Sequence, residues 1–325
     1  MPPAEKPHPP EEMLRLGVSA CLLGHEVRYD GGHKLDRFIA HELGRFVEFV
    51  PVCPEVECGL PVPREAMRLV GEPDSPRLVT VRTSVDLTDQ MMDWVRRRVQ
   101  ELAAENLCGF IFKTKSPSSG MRGVKVYNDK GVPSKKGTGL FARAFMERFP
   151  LIPVEDDGRL HDAGLRENFI ERVFCLKRWR DTLASGRSVN GLVEFHTRNK
   201  YLLHAHSEEH TRALGKLVAN AKGRETSEVF AEYEAMLLDA MARKATVRKH
   251  CNALQHMLGY FKKRITADEK QEMLEVIERY RAGYAPLLVP MTLMNHYVRK
   301  YDEPYLKKQA YLNPHPMELR LRAYC

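Results

Sequence analysis

Residues 14–24, LRLGVSACLLG, decide how the first half of the chain folds. The apolar run 14–20 reads as a short strand that ends in Cys21 and then in the turn residue Gly24. Two more stretches have the same form. Residues 46–52 (FVEFVPV) run into Cys53, and residues 109–115 (GFIFKTK) run into SPSSG at 116–120. Residues 78–82 (LVTVR) and 124–127 (VKVY) read as further short strands. Between the second and third main strands, Met91, Met92, Val95, Val99, Leu102 and Ala103 recur at helical spacing over 88–106, with Thr88 as the expected N-cap. Strand–helix–strand alternation predicts an α/β layer with a mostly parallel sheet.

The second half has no such alternation. Residues 162–184 read as one amphipathic helix, with Phe169, Val173, Phe174, Leu176 and Trp179 available to a core, and SGRSVNG at 185–191 reads as a linker. Helical patterns follow at 192–205, 207–222, 226–264 and 267–283, the last opened by the capping-box sequence TADE and closed by Gly283. Pro286, Pro290, Pro304, Pro314 and Pro316 interrupt the remainder. The expected fold is therefore an α/β N-terminal domain with a mostly parallel sheet, followed by an all-α C-terminal domain. The expected division is 1–160, a connecting helix and linker at 161–190, and a helical, basic domain at 191–325.

Of the 325 residues, 43% are hydrophobic and 29% charged, a balance that excludes wholesale disorder. No uncharged apolar run is long enough to span a bilayer, so no membrane partner is expected. The Pro-rich start, MPPAEKPHPPEEM, lacks the apolar core of a signal peptide. Seven cysteines without such a signal read as thiols or metal ligands in the reducing cytoplasm. Residues 191–325 carry 22 Lys and Arg against 16 Asp and Glu, whereas residues 1–190 carry 29 against 27. A basic half beside a nearly neutral one suggests a polyanion-binding module attached to a reaction module.

The chemistry lies at the strand ends. In an open α/β sheet the carboxyl ends of parallel strands open onto one crevice, so Cys21, Cys53, Cys58 and the serine loop are expected there together. Three thiolates suit a soft metal or an iron–sulfur cluster, and three ligands leave one position open for substrate. Cys175 and Cys251 fall inside helical patterns and read as packing, while Cys325 ends the chain. In HAHSEEH at 204–210, His204 and His206 would point to different sides of a helix, so no histidine metal site is expected.

The segments SACLLGHEVRYDGGHK (19–34), VCPEVECGLPVPRE (52–65) and KSPSSG (115–120) together resemble the thiouracil desulfidases, in that family's order. The second half resembles the YbgA-type domain often fused behind them, the architecture of RNA 4-thiouridine desulfidases. The resemblance covers essentially the whole chain. It implies a 4Fe-4S cluster held by three cysteines, with the fourth iron taking the sulfur of a thiolated uracil, and uracil and hydrosulfide as products. Cys21 and Cys53 match two of the family's ligands. The family's third lies in an SPSCG loop, where this chain has Ser119. Cys58, Cys108 and the Ser119 oxygen are the alternatives. Cys58 is expected because it follows the same strand end as Cys53; Cys108 precedes its strand and would lie ~20 Å from the loop.

The predicted activity is conversion of 4-thiouridine in tRNA to uridine without net electron transfer. Glu55 is the expected general base and Asp30 the second choice, with Ser116 and Ser118 bonding the pyrimidine edge or the water. Arg28, Lys34 and Arg64 would neutralise phosphate or cluster charge. For RNA, the basic groups are Arg243, Lys244, Arg248 and Lys249, then Lys262, Lys263 and Arg264, with Tyr260 and Phe261 beside them as stacking rings. His296, Tyr297, Arg299, Lys300 and Tyr301 form a second basic–aromatic patch. Two other functions fit the same residues: a desulfidase of free thiouracil or thiouridine nucleotides, and an RNA-binding iron–sulfur sensor without turnover.

Overall fold

A computed structural model describes residues 13–323, so the N-terminal arm and Cys325 lie outside the described residues. From Leu14 the chain builds β1 (Leu14–Ser19), β2 (Val47–Val52), the one-turn helix α1 (Pro54–Glu57), β3 (Met67–Val70), β4 (Arg77–Thr80) and α2 (Thr88–Ala104). It continues with β5 (Phe110–Phe112), β6 (Val124–Tyr127), β7 (Pro133–Gly137) and α3 (Leu140–Arg148). β1 pairs in parallel with β2 on one side and with β5 on the other. Its residues are buried almost throughout, as befits a strand covered on both faces. Gly17 is required there: a Cβ would lie 2.2 Å from the ring of Phe110. That ring belongs to a cluster with Phe112, Phe141 and Phe145, which ties β5 to α3.

The parallel expectation holds for this sheet. The strands at 78–82 and 124–127 belong to a second, mixed sheet of order β4-β3-β6-β7. There β3–β4 and β6–β7 are antiparallel and β3–β6 is parallel. Short connections between neighbouring strands permit the antiparallel pairs. Thr88 is not the cap of α2; Leu87 holds that position. The Thr88 hydroxyl instead accepts the Leu78 N–H at 2.9 Å and donates to Asp86 at 2.6 Å, joining the helix start to β4.

The chain divides into two units between Phe149 and Pro150. The second begins with β8 (Val154–Asp156) and continues as α4 (Ala163–Ala184), α5 (Val189–His206), α6 (Glu208–Ala219), α7 (Thr226–Ala242) and α8 (Val247–Leu258). It ends with α9 (Ala267–Arg281), α10 (Leu288–Lys300) and the short α11 (Pro304–Lys307). The 161–190 segment is no mere connection. α4, capped by the Asp162 carboxylate, buries Phe169, Val173 and Trp179 in the core of this unit. The Trp179 ring lies 5.0 Å from Phe195, 5.6 Å from Phe230 and 5.1 Å from Tyr233.

The single pattern read over 226–264 is two helices. The chain turns after α7 at Arg243, and the Thr246 hydroxyl caps α8 by accepting the Lys249 N–H. The capping box of Thr266 and Glu269 is present. Ala282 caps the end of α9, and Gly283 follows at φ +80°. Pro290 sits in the first turn of α10, where its missing N–H costs nothing, so the Pro-rich tail holds a further helix. No helix among the described residues is long and apolar enough to cross a membrane.

Candidate active site

Three strand ends of the first unit meet at one cavity of about 520 Å³. β1 leads into Cys21, β2 into Cys53, and β5 into the serine loop, and Cys21, Cys53, Ser116 and Ser119 all line the cavity. Arg28, Lys34 and Arg64 line it as expected. Lys113, Lys115 and Tyr29 do so as well, and sequence reasoning missed them; the KTK run directly before the serine loop was the available signal. Glu55 is the one carboxylate among the lining residues.

Glu55 is held on several sides. Pro54 starts α1 immediately after Cys53, and this single turn places Glu55 beside the strand end. The Ser118 hydroxyl donates to Glu55 Oε1 at 2.6 Å, and the Ser116 hydroxyl stands 3.0 Å from that of Ser118. The Cys53 thiol donates to Glu55 Oε2 at 3.5 Å. The Arg64 guanidinium lies 3.9 Å from the same oxygen and donates to the Val27 carbonyl at 3.0 Å. Arg64 Nε is buried with no hydrogen-bond partner among the described residues, which leaves a donor for an anionic guest. Burial, reinforced by the Glu55 charge, pushes the Cys53 thiol up to about 12.

Ser118 is fully buried and does not line the cavity, and its hydroxyl is spent on Glu55. Two other expected groups also lie off the cavity wall. Asp30 accepts from Arg28 and from the Gly32 N–H in its own exposed turn, contacts that hold its carboxyl below the ordinary range. Cys58, expected as the third ligand, caps the end of α1 and donates its thiol to the Glu55 carbonyl at 3.2 Å. Its thiol is pushed up by burial and by the Glu55 charge. The Cys108 backbone N–H donates to the Arg15 carbonyl at the opposite, entering end of β1.

In the second unit the predicted basic set is divided by the α7–α8 turn. Arg243 pairs with Asp239 at 3.2 Å, and Lys249 donates to the carbonyls of His206 and Lys244, so both stitch the turn together. Lys244 is exposed, with its ammonium beside Gly164. Arg248, Lys262 and Lys263 are exposed without an ion partner among the described residues. Phe261 is fully buried and cannot stack on a base, whereas Tyr260 is exposed and stacked on Tyr305 at 5.0 Å. Tyr297, Lys300 and Tyr301 are committed to Glu269 and Glu272 rather than open to a partner. A cavity of about 640 Å³ that the sequence did not disclose is lined by His196, Lys200, His204, Arg212, His256 and Tyr305.

Residues 16–157 match the family model described as 2-thiouracil desulfurase, and residues 200–316 match a model described as a protein of unknown function, DUF1722. Uncharacterized protein YbgA of Escherichia coli (strain K12) is 30% identical over 152 residues, covering 46% of this chain and 90% of that protein. Uncharacterized protein YbbK of Bacillus subtilis (strain 168) is 30% identical over 108 residues, 32% of this chain and 71% of that protein. The chain belongs to the thiouracil desulfurase family, with a YbgA-type domain behind the desulfurase domain. A solved structure titled [4Fe-4S]-dependent thiouracil desulfidase TudS is 30% identical and covers 46% of this chain and 94% of that one, with a TM-score of 0.38. The 2-thiouracil desulfurase match spans the whole cavity described above, from Ser19 to Ser119.

Proposed function

We propose that this protein is an iron–sulfur-dependent desulfidase that converts 4-thiouridine in tRNA to uridine. The observation that carries the reading is the meeting of two buried thiols, Cys21 and Cys53, with a fixed carboxylate, Glu55, in one cavity rich in cations. Soft sulfur donors, the unpartnered Arg64 Nε and the surrounding Arg28, Lys34, Lys113 and Lys115 suit an anionic 4Fe-4S cluster. Cys21 and Cys53 would hold it. When bound, the cluster supplies a Lewis-acidic iron for the thiocarbonyl sulfur.

The chain's own groups do the remaining work. Glu55 takes a proton from the water that adds to the ring carbon, and Ser118 keeps that carboxylate aimed. Ser116, on the cavity wall, bonds the pyrimidine edge. Tyr29 offers a ring face beside Arg28, and Arg28, Lys34 and Arg64 neutralise the nucleotide phosphate. Carbon exchanges its bond to sulfur for one to oxygen, water is consumed, hydrosulfide leaves, and no electrons are transferred. On the second unit, the exposed Arg248, Lys262 and Lys263, with Lys200 on the wall of the second cavity, support a grip on RNA phosphates. None of the described cysteines is in a disulfide, which suits a reducing cytoplasm.

The test is incubation of anaerobically loaded full-length protein with bulk tRNA, following 4-thiouridine and released hydrosulfide, with the rate falling as salt rises. Intact 4-thiouridine in the presence of fully loaded protein refutes the reading. Faster turnover of the mononucleotide moves it to free thiouridine nucleotides. Tight RNA binding with no hydrosulfide released marks a sensor.

A further inference from the structure

Each of the three parallel strands delivers one side chain with a ligating atom to the cavity: β1 gives Cys21, β2 gives Cys53, and β5 gives Ser119 through the loop behind it. Ser119 is only 3% exposed. Its backbone N–H is bonded to the Ser116 hydroxyl at 3.1 Å, but its own hydroxyl has no hydrogen-bond partner among the described residues. Its neighbours differ. Ser116 and Ser118 bond one another, and Ser118 is bound to Glu55. The buried side-chain atoms left without a partner do not include the Ser119 hydroxyl, so it opens onto the cavity, where a guest can reach it. The loop is also held in place: the Leu140 and Phe141 N–H groups bond the carbonyls of Pro117 and Ser118. Neither remaining thiol of the unit competes, because Cys58 faces the Glu55 carbonyl and Cys108 lies at the far end of β1.

We propose that Ser119 is the third protein ligand of the iron–sulfur cluster, binding iron through its alkoxide oxygen beside the thiolates of Cys21 and Cys53. The inference rests on the cluster reading above. An iron–oxygen bond forms, the hydroxyl proton passes to water, and no electrons move. Oxygen is a harder donor than sulfur and favours the more oxidised iron. The cluster is therefore harder to reduce than one with three thiolates, and its oxygen-bound corner yields first to a chelator.

The experiment compares full-length protein with Ser119→Cys, Ser119→Ala, Cys58→Ser and Cys108→Ser after anaerobic reconstitution. Iron and sulfide content, visible absorption and midpoint potential are measured on each. Ser119→Cys is expected to strengthen the sulfur-to-iron absorption and raise the midpoint potential, and Ser119→Ala to lose iron to chelator faster. Cys58→Ser and Cys108→Ser should match the parent. Loss of the cluster in either cysteine variant, with both Ser119 variants unchanged, overturns the inference and leaves the cluster reading standing. Iron taken up by Ser119→Cys but not by the parent also overturns it. If neither binds iron, the cluster reading itself fails and this inference with it.

Discussion

Ser118 and Ser116 lie two positions apart in one loop, yet only Ser116 lines the cavity. Ser118 is fully buried and spends its hydroxyl on Glu55, so its effect on the reaction passes through that carboxylate. Ser118→Ala should lower kcat by ~10–100-fold with KM nearly unchanged, as for other residues that orient a reacting group. A raised KM with unchanged kcat would instead mean that Ser118 touches substrate. In the second unit, Arg322 bonds both Glu167 and Glu171, and His206 presents one ring nitrogen to Glu171 at 3.0 Å and the other to the Arg243 carbonyl at 2.7 Å. Arg322→Met keeps much of the length but strands two carboxylates inside the protein. The expected loss is about 3–5 kcal/mol in urea unfolding, and a loss below 1 kcal/mol would show that water or protonation relieves them. Cys21, Cys53 and Glu55 were legible from their places beside strand ends, and Arg28, Lys34 and Arg64 from the segments that resemble the family. The division of labour among the serines was not, because it depends on which way each hydroxyl points.

Among the elements, the serine loop depends on the start of α3. Gly139 donates its N–H to the Gly120 carbonyl at 2.7 Å, and a Cβ on Gly139 would lie 2.5 Å from the Ser118 backbone. Backbone cannot step aside as a flexible side-chain tip does. Gly139→Ala should therefore cost about 1–3 kcal/mol and displace the loop. Calorimetry and iron uptake should fall together; a variant with normal Tm and normal iron content would show that the loop has slack. The loop's entry is equally specific, since Lys115 turns through φ +61°, a left-handed conformation uncommon outside glycine. The α7–α8 turn shows the limit of reading periodicity. Apolar spacing runs on through 226–264, and Thr246 was the only local sign of a new helix. Once the chain turns there, Arg243 and Lys249 become stitches, and Arg248 is left on the surface.

Across the whole molecule, burial of histidine in the helical unit sets its response to acid. Burial holds His196 and His315 down to about 4 and His250 to about 3, whereas an unfolded histidine titrates near ~6.5. Between these limits the unfolded chain binds more protons, so stability is complete above ~6.5 and is lost as the pH falls toward 4. Glu167 works in the opposite sense. Burial and the Glu171 charge push it up to about 7, so it favours the folded state as the pH drops from about 7 toward ~4.3. The histidines outnumber Glu167, and each net proton is worth about 1.4 kcal/mol per pH unit. Tm should fall clearly from pH 6.5 to 5, and a flat profile would show that these histidines reach water. The sequence by itself determined the α/β and helical halves and the association of Cys21 with Cys53, because hydrophobic period sets the elements and parallel strands end on one side. Tertiary structure alone decided that Ser119 rather than Cys58 faces the cavity, that Ser118 serves Glu55, and that residues 226–264 turn between two helices. Those outcomes depend on side-chain direction at turns, where left-handed backbone and close glycine contacts aim each group and no periodicity survives to be read.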